Sequence, residues 1–418
     1  MECEVCGKKS YLCGQETSEE GGKRRFDMKR YGLWVIALCC WCMAACIKDE
    51  AAGKECDIEC AWVEGEEYER FFYQTTEMRR VVGSAETDIT FSVRSMLSLT
   101  KALPLQLKVT DGATVSPASG EPQDFTKGPV TYTVTSQDGQ WQRRYTVAFH
   151  EAALPGERFS FENVETQTEG TLLGGTKRMH VFYEQAPEED GGRKYCWASG
   201  NAGAALLVTG DAPEDFPTYS VADGYAGRGV CLNTQSAGAL GAMMNKPIAT
   251  GSLFLGRFLV DYVLSDALRC TLFGIPTDRM PVRITGWYRF KPGERFTDQG
   301  MRVVEGRVDE PCIYAVLYRN TDDAGNSYVL DGHAVEHLDR LFDNPQVYRV
   351  AEVKSLPATD TWTQWEMFFE GVSAPKDVLD NMGCNLALVF SSSKDGARFE
   401  GAVGSTLYVD EVEVLYEK

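Results

Sequence analysis

Apolar and polar residues alternate with a period of two along most of the chain beyond residue 61. This alternation is typical of strands that bury one face and expose the other. Only two stretches, HAVEHLDRLF (333–342) and KDVLDNM (376–382), have the spacing of a helix, and both are short. The pattern therefore predicts an all-β protein.

The segment from residue 61 to residue 150 is predicted to form a small β-sandwich. Its clearest strands are Asp88–Val93, Leu103–Val109, Val130–Ser136 and Trp141–Phe149. Asp138 and Gly139 separate the last two strands and are a strong hairpin signal. Several short strands in a segment of this length indicate an immunoglobulin-like sandwich, although no cysteine pair is available to join its sheets.

A hinge is predicted at Glu151–Arg158, and a second domain over residues 157–418. Its strands include VRITGWYRF (282–290), CIYAVLYRN (312–320), WTQWEMFFEGV (362–372), CNLALVFSSS (384–393) and TLYVDEVEV (406–414). Many short strands joined by glycine-rich loops predict a jelly roll with long loops.

The composition is that of a globular protein, but acidic residues clearly outnumber basic ones. The chain has 418 residues, with 42 Lys and Arg against 61 Asp and Glu, and therefore a net charge of -19. Nucleic-acid binding is disfavoured, because it depends on Lys and Arg that neutralise phosphates. Neutral ligands such as sugars are compatible with this charge.

The segment Met28–Cys46 reads as an export signal: Lys29 and Arg30 precede an apolar run, and the segment ends in MAAC. This ending resembles a bacterial lipobox, which predicts removal of residues 1–45 and lipidation of Cys46, and hence an outer-membrane, surface-exposed lipoprotein. A plain secretory signal or a membrane anchor is the alternative. Because a signal normally begins a protein, residues 1–27 are interpreted as a start-site artefact, and residues 46–60 as a tether.

Seven cysteines follow Cys46, and their positions lack the spacing of metal ligands. Buried free thiols are therefore predicted rather than a disulfide framework.

The second domain resembles a known family. The stretches that carry the resemblance are VRITGWYRFKPGERFT (282–297), IYAVLYRN (313–320), YVLDGH (328–333) and FSSSKDGARFEGAVGSTLYVDEVEV (390–414). They are similar to the putative carbohydrate metabolism domain (PCMD) family of surface lipoproteins from Gram-negative glycan degraders. The resemblance covers about residues 157–417. It implies a jelly roll akin to carbohydrate-binding modules, without supplying a catalytic set.

Sugars stack their apolar C–H faces on aromatic rings, so rings beside short polar groups are candidate ligand contacts. The candidates are Trp197, Asn201, Tyr225, Arg228, Trp287, Tyr314 and Tyr318. Tyr314 and Tyr318 share one face of their strand, opposite an aliphatic face that is expected to be core, and Trp287 and Arg289 oppose Tyr288 and Phe290. The alternatives are burial of the rings in a core and ordinary turn chemistry for the polar residues of WASGNAG (197–203) and DGYAGRG (223–229).

The last strand places an acid, Asp410, on the same parity as Tyr408, Val412, Val414 and Tyr416, which are expected to face the core. The resemblance to carbohydrate-binding jelly rolls implies a structural calcium ion between the first and last strands, with Glu162 and Asp410 as ligands. The alternative is a β-bulge at Asp410 and Glu411 that leaves Asp410 exposed.

A glycoside hydrolase would need a pair of carboxylates. Asp309, Glu310, Asp331 and Glu400 are candidates, but nothing in the sequence brings two of them together. His333 and His337 have the spacing of a two-histidine metal face, without the glutamate of the HExxH motif.

These observations predict a lipid-anchored cell-surface protein that binds an oligo- or polysaccharide, needs no cofactor beyond the calcium ion, and works with the partner proteins of a glycan-uptake system. The alternatives are a glycoside hydrolase and a structural or adhesion lipoprotein.

Overall fold

The computed structural model describes residues 52–170, 175–186, 192–205, 208, 210–336 and 338–418. The export segment, Cys46 and His337 lie outside the described residues. Within them, no helix is long and apolar enough to cross a membrane. The chain divides into two compact units between Ala152 and Ala153.

The N-terminal unit contains eight strands and one short helix among its described residues. The strands are β1 (Ile58–Val63), β2 (Arg79–Val81), β3 (Asp88–Val93), β4 (Leu103–Val109), β5 (Thr114–Ser116), β6 (Pro122–Gln123), β7 (Val130–Thr135) and β8 (Gln142–Glu151), and the helix is α1 (Glu66–Glu69). Two 3-10 turns span Thr75–Met78 and Phe125–Lys127. One sheet has the order β2-β1-β4-β6 and the other the order β3-β8-β7-β5.

Alternation along these strands forms the core of the unit. Strand β3 buries Ile89, Phe91 and Val93 and exposes the residues between them. Tyr132 on β7 and Tyr145 on β8 are buried in the same core. Strand β3 pairs with β8 in parallel, whereas β7 pairs with β8 antiparallel. The predicted all-β sandwich is confirmed, and its immunoglobulin-like character stays a prediction.

The C-terminal unit contains 23 strands, most of them short, among its described residues. They are β9 (Gly156–Phe159), β10 (Val164–Gly170), β11 (Thr176–Phe182), β12 (Glu184–Gln185), β13 (Arg193–Lys194), β14 (Trp197–Ser199), β15 (Thr218–Val221), β16 (Gly229–Asn233), β17 (Gln235–Ser236), β18 (Ile248–Ala249), β19 (Ser252–Phe258), β20 (Thr271–Phe273), β21 (Ile275–Thr277), β22 (Pro281–Lys291), β23 (Phe296–Thr297), β24 (Cys312–Arg319), β25 (Leu330–Asp331), β26 (Val347–Glu352), β27 (Thr359–Phe368), β28 (Glu370–Gly371), β29 (Cys384–Ser391), β30 (Gly401–Ala402) and β31 (Thr406–Tyr416).

The helices of this unit are α2 (Asn201–Ala204), α3 (Gly238–Met243), α4 (Gly332–Val335) and α5 (Lys376–Asp380). Five 3-10 turns span Pro213–Asp215, Val260–Tyr262, Ala267–Cys270, Leu338–Asp343 and Gly396–Arg398. The predicted helix at 376–382 is confirmed by α5. The stretch 333–342 is not one helix: it divides between α4 and the 3-10 turn that starts at Leu338.

Two large sheets form the body of this unit. The nine-stranded sheet has the order β25-β20-β19-β29-β24-β26-β28, with β14 added to β19 and β21 added to β29. The six-stranded sheet has the order β15-β16-β31-β22-β27, with β9 added to β31. The first and last strands, β9 and β31, are therefore neighbours. Apolar residues from both sheets share one core, as in the predicted sandwich.

Strand β31 contains a β-bulge. Thr285 pairs with Glu413 and Trp287 with Asp410, so one residue of β22, Gly286, opposes two of β31, Glu411 and Val412. Glu411, inside the bulge, has a φ of 49°. Because of the bulge, the residues of β31 that precede it face the opposite way from a regular strand, so Leu407 and Val409 join Val412 and Val414 in the core. The expectation that Tyr408 faces inward is therefore wrong.

The described cysteines are all free thiols, and all but Cys56 are buried. This arrangement agrees with the prediction from their spacing.

Candidate functional site

Polar and aromatic side chains cross the outer face of the six-stranded sheet in one row. Tyr219 on β15 pairs with Cys231 on β16, Cys231 pairs with Tyr408 on β31, and Tyr408 pairs with Arg289 on β22. Directly opposed residues on neighbouring strands point to the same face of a sheet. The row therefore brings two tyrosines and an arginine together on the side away from the core.

Three aromatic rings lie beside this row, and we call Tyr225, Trp287 and Trp362 the aromatic platform. Tyr225 stacks on Trp287, with ring centroids 3.8 Å apart and planes 8° from parallel. Trp362 meets Tyr225 edge to face at 6.4 Å. Tyr225 is 45% exposed, and both tryptophans are half-buried. The platform thus presents aromatic surface to solvent from a loop and from two strands.

Arg289 joins the platform to the row of tyrosines. Its guanidinium lies 4.6 Å from the ring centre of Trp362 and 4.8 Å from that of Tyr408. It also donates to the main-chain oxygen and to the carboxylate of Asp223, both at 3.1 Å. Stacking and hydrogen bonding together hold the arginine in place.

The loop Asp223–Gly229, which carries Tyr225, is held from below by two acids. Asp410 Oδ2 accepts a hydrogen bond from Ala226 N at 2.9 Å, and Glu162 Oε1 accepts one from Arg228 N at 2.8 Å. A Cβ on Gly224 would lie 2.6 Å from the main chain of Arg228, so the fold of this loop requires a glycine there. Asp410 therefore positions the loop that supplies the exposed ring.

Asp410 is fully buried although it points to the outer face, because the loop covers it. The predicted β-bulge at Asp410 and Glu411 is confirmed. The accompanying expectation that Asp410 is exposed is wrong. Burial, with a smaller contribution from the charge of Glu411, raises the pKa of Asp410 to about 6, while hydrogen bonds from Ala226 N and Glu411 N act in the opposite direction.

The hydrogen bonds around Asp410 bear on the calcium ion inferred from the family resemblance. Asp410 Oδ1 accepts from Glu411 N at 2.8 Å and Oδ2 accepts from Ala226 N, so each carboxylate oxygen already has one amide donor. Glu162 Oε1 likewise accepts a hydrogen bond from the backbone amide of Arg228. Among the described residues, no group of three or more His, Cys, Asp or Glu could hold a metal ion. A Ca²⁺ ion at this place would need further oxygen ligands, such as main-chain carbonyls, and would compete with these amides for the two carboxylates.

Three predicted ligand contacts lie together at this site. Tyr225 and Trp287 belong to the platform, and Arg228 lies next to it in the same loop, where its Nε donates to Ser220 Oγ at 3.0 Å. Along VRITGWYRF, Trp287 and Arg289 lie on the outer face of β22, whereas Tyr288 and Phe290 on the opposite parity are buried in the core.

The other predicted contacts lie elsewhere. Trp197 is buried against Phe159, Phe161 and Phe390, and its Nε1 donates to Glu184 at 2.9 Å. Strand β14 carries the ring into the core between the sheets, so burial, the alternative considered for the candidate rings, applies to Trp197.

Asn201 is also buried and has a structural role. Its side chain donates to Thr218 O at 2.6 Å and accepts from Thr218 N at 3.0 Å. Both polar ends of the amide are used to hold α2 against β15, so the expected ligand contact at Asn201 is wrong.

Tyr314 and Tyr318 lie on the outer face of the nine-stranded sheet, as their shared parity predicts, but further chain covers that face. Tyr318 is fully buried and accepts from Asn385 Nδ2 at 3.0 Å, so it is not a ligand contact. Tyr314 is 5% exposed and lines a cleft that is separate from the platform.

The carboxylates considered for hydrolysis have other partners. Asp309 is buried and accepts from Ser393, Ser405 and Ala402 N at 2.6–2.8 Å. Asp331 accepts two amides at the start of α4, and Glu400 lies 3.5 Å from Arg307. Glu310 is exposed. Asp309, Asp331 and Glu400 are thus each engaged by hydrogen bonds or an ion pair within the protein.

His333 hydrogen-bonds both carboxylate oxygens of Asp266 at 2.9 Å, which raises the pKa of the imidazole. A metal face with His337 stays a prediction, because His337 lies outside the described residues.

Trp362, Arg289 and Asp223, which belongs to the loop DGYAGRG, complete the site. The sequence held a signal for Arg289, since it shares the parity of Trp287. Trp362 could not be assigned from sequence, because only strand pairing shows that β27 lies beside β22.

Comparison with known proteins identifies the class to which this two-sheet fold belongs. Residues 160–415 match the family of the putative carbohydrate metabolism domain, PCMD. The match covers more than half of the chain, so the chain belongs to the PCMD family. Residues 71–148 match the N-terminal domain of surface glycan-binding proteins, SGBP. The search of curated proteins found no match.

The solved structures that are similar to the chain include two from Bacteroides species. One, described as a putative glycoside hydrolase from Bacteroides thetaiotaomicron, is 32% identical, with 89% of this chain and 99% of that chain covered and a TM-score of 0.55. The other, described as a putative glycoside hydrolase from Bacteroides vulgatus, is 34% identical, with coverages of 62% and 98% and a TM-score of 0.55.

Proposed function

We propose that this chain is a surface glycan-binding protein whose C-terminal domain binds an oligosaccharide on the aromatic platform. The observation that carries the proposal is the Tyr225–Trp287 stack, with the exposed ring of Tyr225 beside Trp362. Aromatic rings supply large apolar contact area at low conformational cost. The apolar C–H face of a sugar ring fits such a surface.

The polar groups around the platform suit hydroxyl recognition. Asp223 and Arg289 lie at its edge and hold each other in place, with both able to offer further hydrogen bonds to a ligand. Because the chain has a net charge of -19, we expect stacking and hydrogen bonding, rather than ionic attraction, to dominate binding.

The match of residues 71–148 to an SGBP N-terminal domain supports the cellular setting of the proposal. We further propose that Cys46 is lipidated, that the protein lies on the outer-membrane surface, and that it works with partner proteins of a glycan-uptake system. Mass spectrometry of the native protein tests the anchor, and an unmodified Cys46 within an intact chain would contradict it.

Binding without cleavage is the form of the proposal that the described carboxylates support. Both similar structures carry the description of putative glycoside hydrolases, so hydrolysis is the alternative. A hydrolase needs two facing carboxyl groups, about 5–10 Å apart depending on mechanism. The four acids considered above serve hydrogen-bonding, capping and ion-pair roles or lie exposed.

A glycan array followed by a product assay tests this proposal. We expect the purified protein to retain one class of oligosaccharide and to release no shorter product from it. Sustained product release, lost on changing one carboxylate, would instead establish a hydrolase. Retention of no glycan at all would favour an adhesion or structural role.

A further inference from the structure

A cleft of about 420 Å³ lies on the outer face of the nine-stranded sheet. Its floor consists of two rows of residues across three neighbouring strands. Phe254 on β19 pairs with Val389 on β29, which pairs with Tyr314 on β24. In the next row, Ser252 pairs with Ser391, and Ser391 pairs with Cys312. The floor is therefore apolar along one row and bears hydroxyl groups along the other.

Several pieces of chain wall the cleft. They include α2, the segment from Lys246 to Thr250, the segment from Phe258 to Phe273, α4, and the turn from Lys394 to Phe399. Phe258 and Phe399 add aromatic edges to the walls. A concave site with an apolar lining and a few polar groups is the usual form of a small-molecule pocket.

Most of the charges that line the cleft are compensated within the protein. Lys394 donates to Glu352 at 3.1 Å, and Asp395 pairs with Arg398 and Arg307. The lining holds three cations, Lys246, Lys394 and Arg398, against four acids, Glu336, Asp339, Glu352 and Asp395. This near balance, slightly negative, provides no site for an anion.

We propose that this cleft is a second ligand site, which takes an uncharged, hydroxylated ring compound such as a mono- or disaccharide. The apolar row would contact the C–H face of the ring, and the serine hydroxyls would bond its hydroxyls. The volume lies in the range of small-molecule pockets, about 300–1,000 Å³. The proposal does not depend on the platform, because the two sites use different sheets and share no residue.

The two sites can be distinguished by fluorescence. The platform contains two tryptophans, whereas the described residues that line the cleft include none. Binding at the platform should change tryptophan emission, and binding in the cleft should be seen mainly by calorimetry or by saturation-transfer NMR.

Trp362→Ala, which removes a platform ring, provides the background for the test. The probes are glucose, galactose, xylose and their disaccharides, with galacturonate and glucosamine as charged counterparts. We expect at least one neutral probe to bind the Trp362→Ala protein and to bind at least tenfold more tightly than the charged probes. Ser252→Phe should weaken that binding at least tenfold, whereas the control Ser252→Thr should change it less than threefold.

Thermal unfolding checks that Ser252→Phe is folded, and Ser391→Phe replaces it if it is not. The absence of binding by every neutral probe would overturn the proposal. Binding that neither phenylalanine variant weakens would also overturn it. Failure of the platform proposal has a different signature: cleft binding persists while oligosaccharides give no change in tryptophan emission.

Discussion

Ala226 N donates a hydrogen bond of 2.9 Å to the carboxylate of Asp410, which is buried below the loop that carries Tyr225. One residue from the last strand thus fixes the loop that presents the exposed ring of the platform. The β-bulge makes this possible, because it turns Asp410 away from the core and under the loop. Binding at the platform should therefore depend on a residue that no ligand touches.

The first prediction concerns Asp410 as a positioning residue. Asp410→Ala leaves the amides of Ala226 and Glu411 without their acceptor, at a cost of about 1–3 kcal/mol in the free energy of unfolding. We expect oligosaccharide affinity to fall several-fold as the loop loosens. Calorimetry and thermal unfolding measure the two effects. The control is Glu413→Ala, a partly exposed residue of the same strand, and equal losses of affinity in both variants would contradict the prediction.

The second prediction concerns pH. The pKa of Asp410 is raised from 3.8 to about 6, so the folded state binds a proton that the unfolded state has released between these pH values. The contribution of Asp410 to stability is therefore present below about pH 4 and lost as pH rises to about 6. Asp410→Asn cannot titrate.

Thermal unfolding of both proteins from pH 4 to pH 7 measures this effect. The melting temperature of the wild type should fall relative to that of Asp410→Asn as pH rises. A difference between the two that stays constant with pH, or that changes in the opposite direction, would contradict the raised pKa.

The third prediction separates the buried tryptophan from the exposed ones. Trp197→Ala should lower the free energy of unfolding by roughly 3–5 kcal/mol, because it opens a cavity between the sheets. Trp362→Ala should cost much less, because the ring is half-buried on the outer face. Denaturant unfolding compares them. A mild effect of Trp197→Ala would indicate that the core can close around the missing ring.

The fourth prediction concerns calcium. Because backbone amides already donate to the carboxylates of Asp410 and Glu162, we expect EDTA to leave the melting temperature of the protein unchanged. Differential scanning calorimetry with EDTA and with added Ca²⁺ tests this. Destabilisation by EDTA that Asp410→Ala abolishes would restore the calcium site inferred from the family resemblance.

The alternation of residues was enough to find the strands and the class of fold. Strands β3 and β4 begin and end where the sequence places them. Parity also sorted Trp287 and Arg289 from Tyr288 and Phe290, because β22 has its core on one side and the platform on the other.

Predictions from the sequence were wrong where a local irregularity, or a segment distant in sequence, changed the surroundings of a residue. One extra residue in the bulge reversed the parity of Tyr408. Tyr318 lies on the outer face, as predicted, but a later segment with Leu330, Val335 and Leu341 packs over it and buries it. Such long-range packing leaves no periodic trace in the strand itself.

The most direct measurement of the central claim is the affinity of the wild type, Trp362→Ala and Trp141→Ala for the oligosaccharide retained best on the array. Trp141 is an exposed tryptophan of the N-terminal unit, 56% accessible, and so controls for the loss of a surface indole. The account predicts that Trp362→Ala weakens binding at least tenfold, with an unchanged melting temperature within about 3 °C, and that Trp141→Ala binds like the wild type. Equal affinity for all three proteins would contradict binding at the aromatic platform.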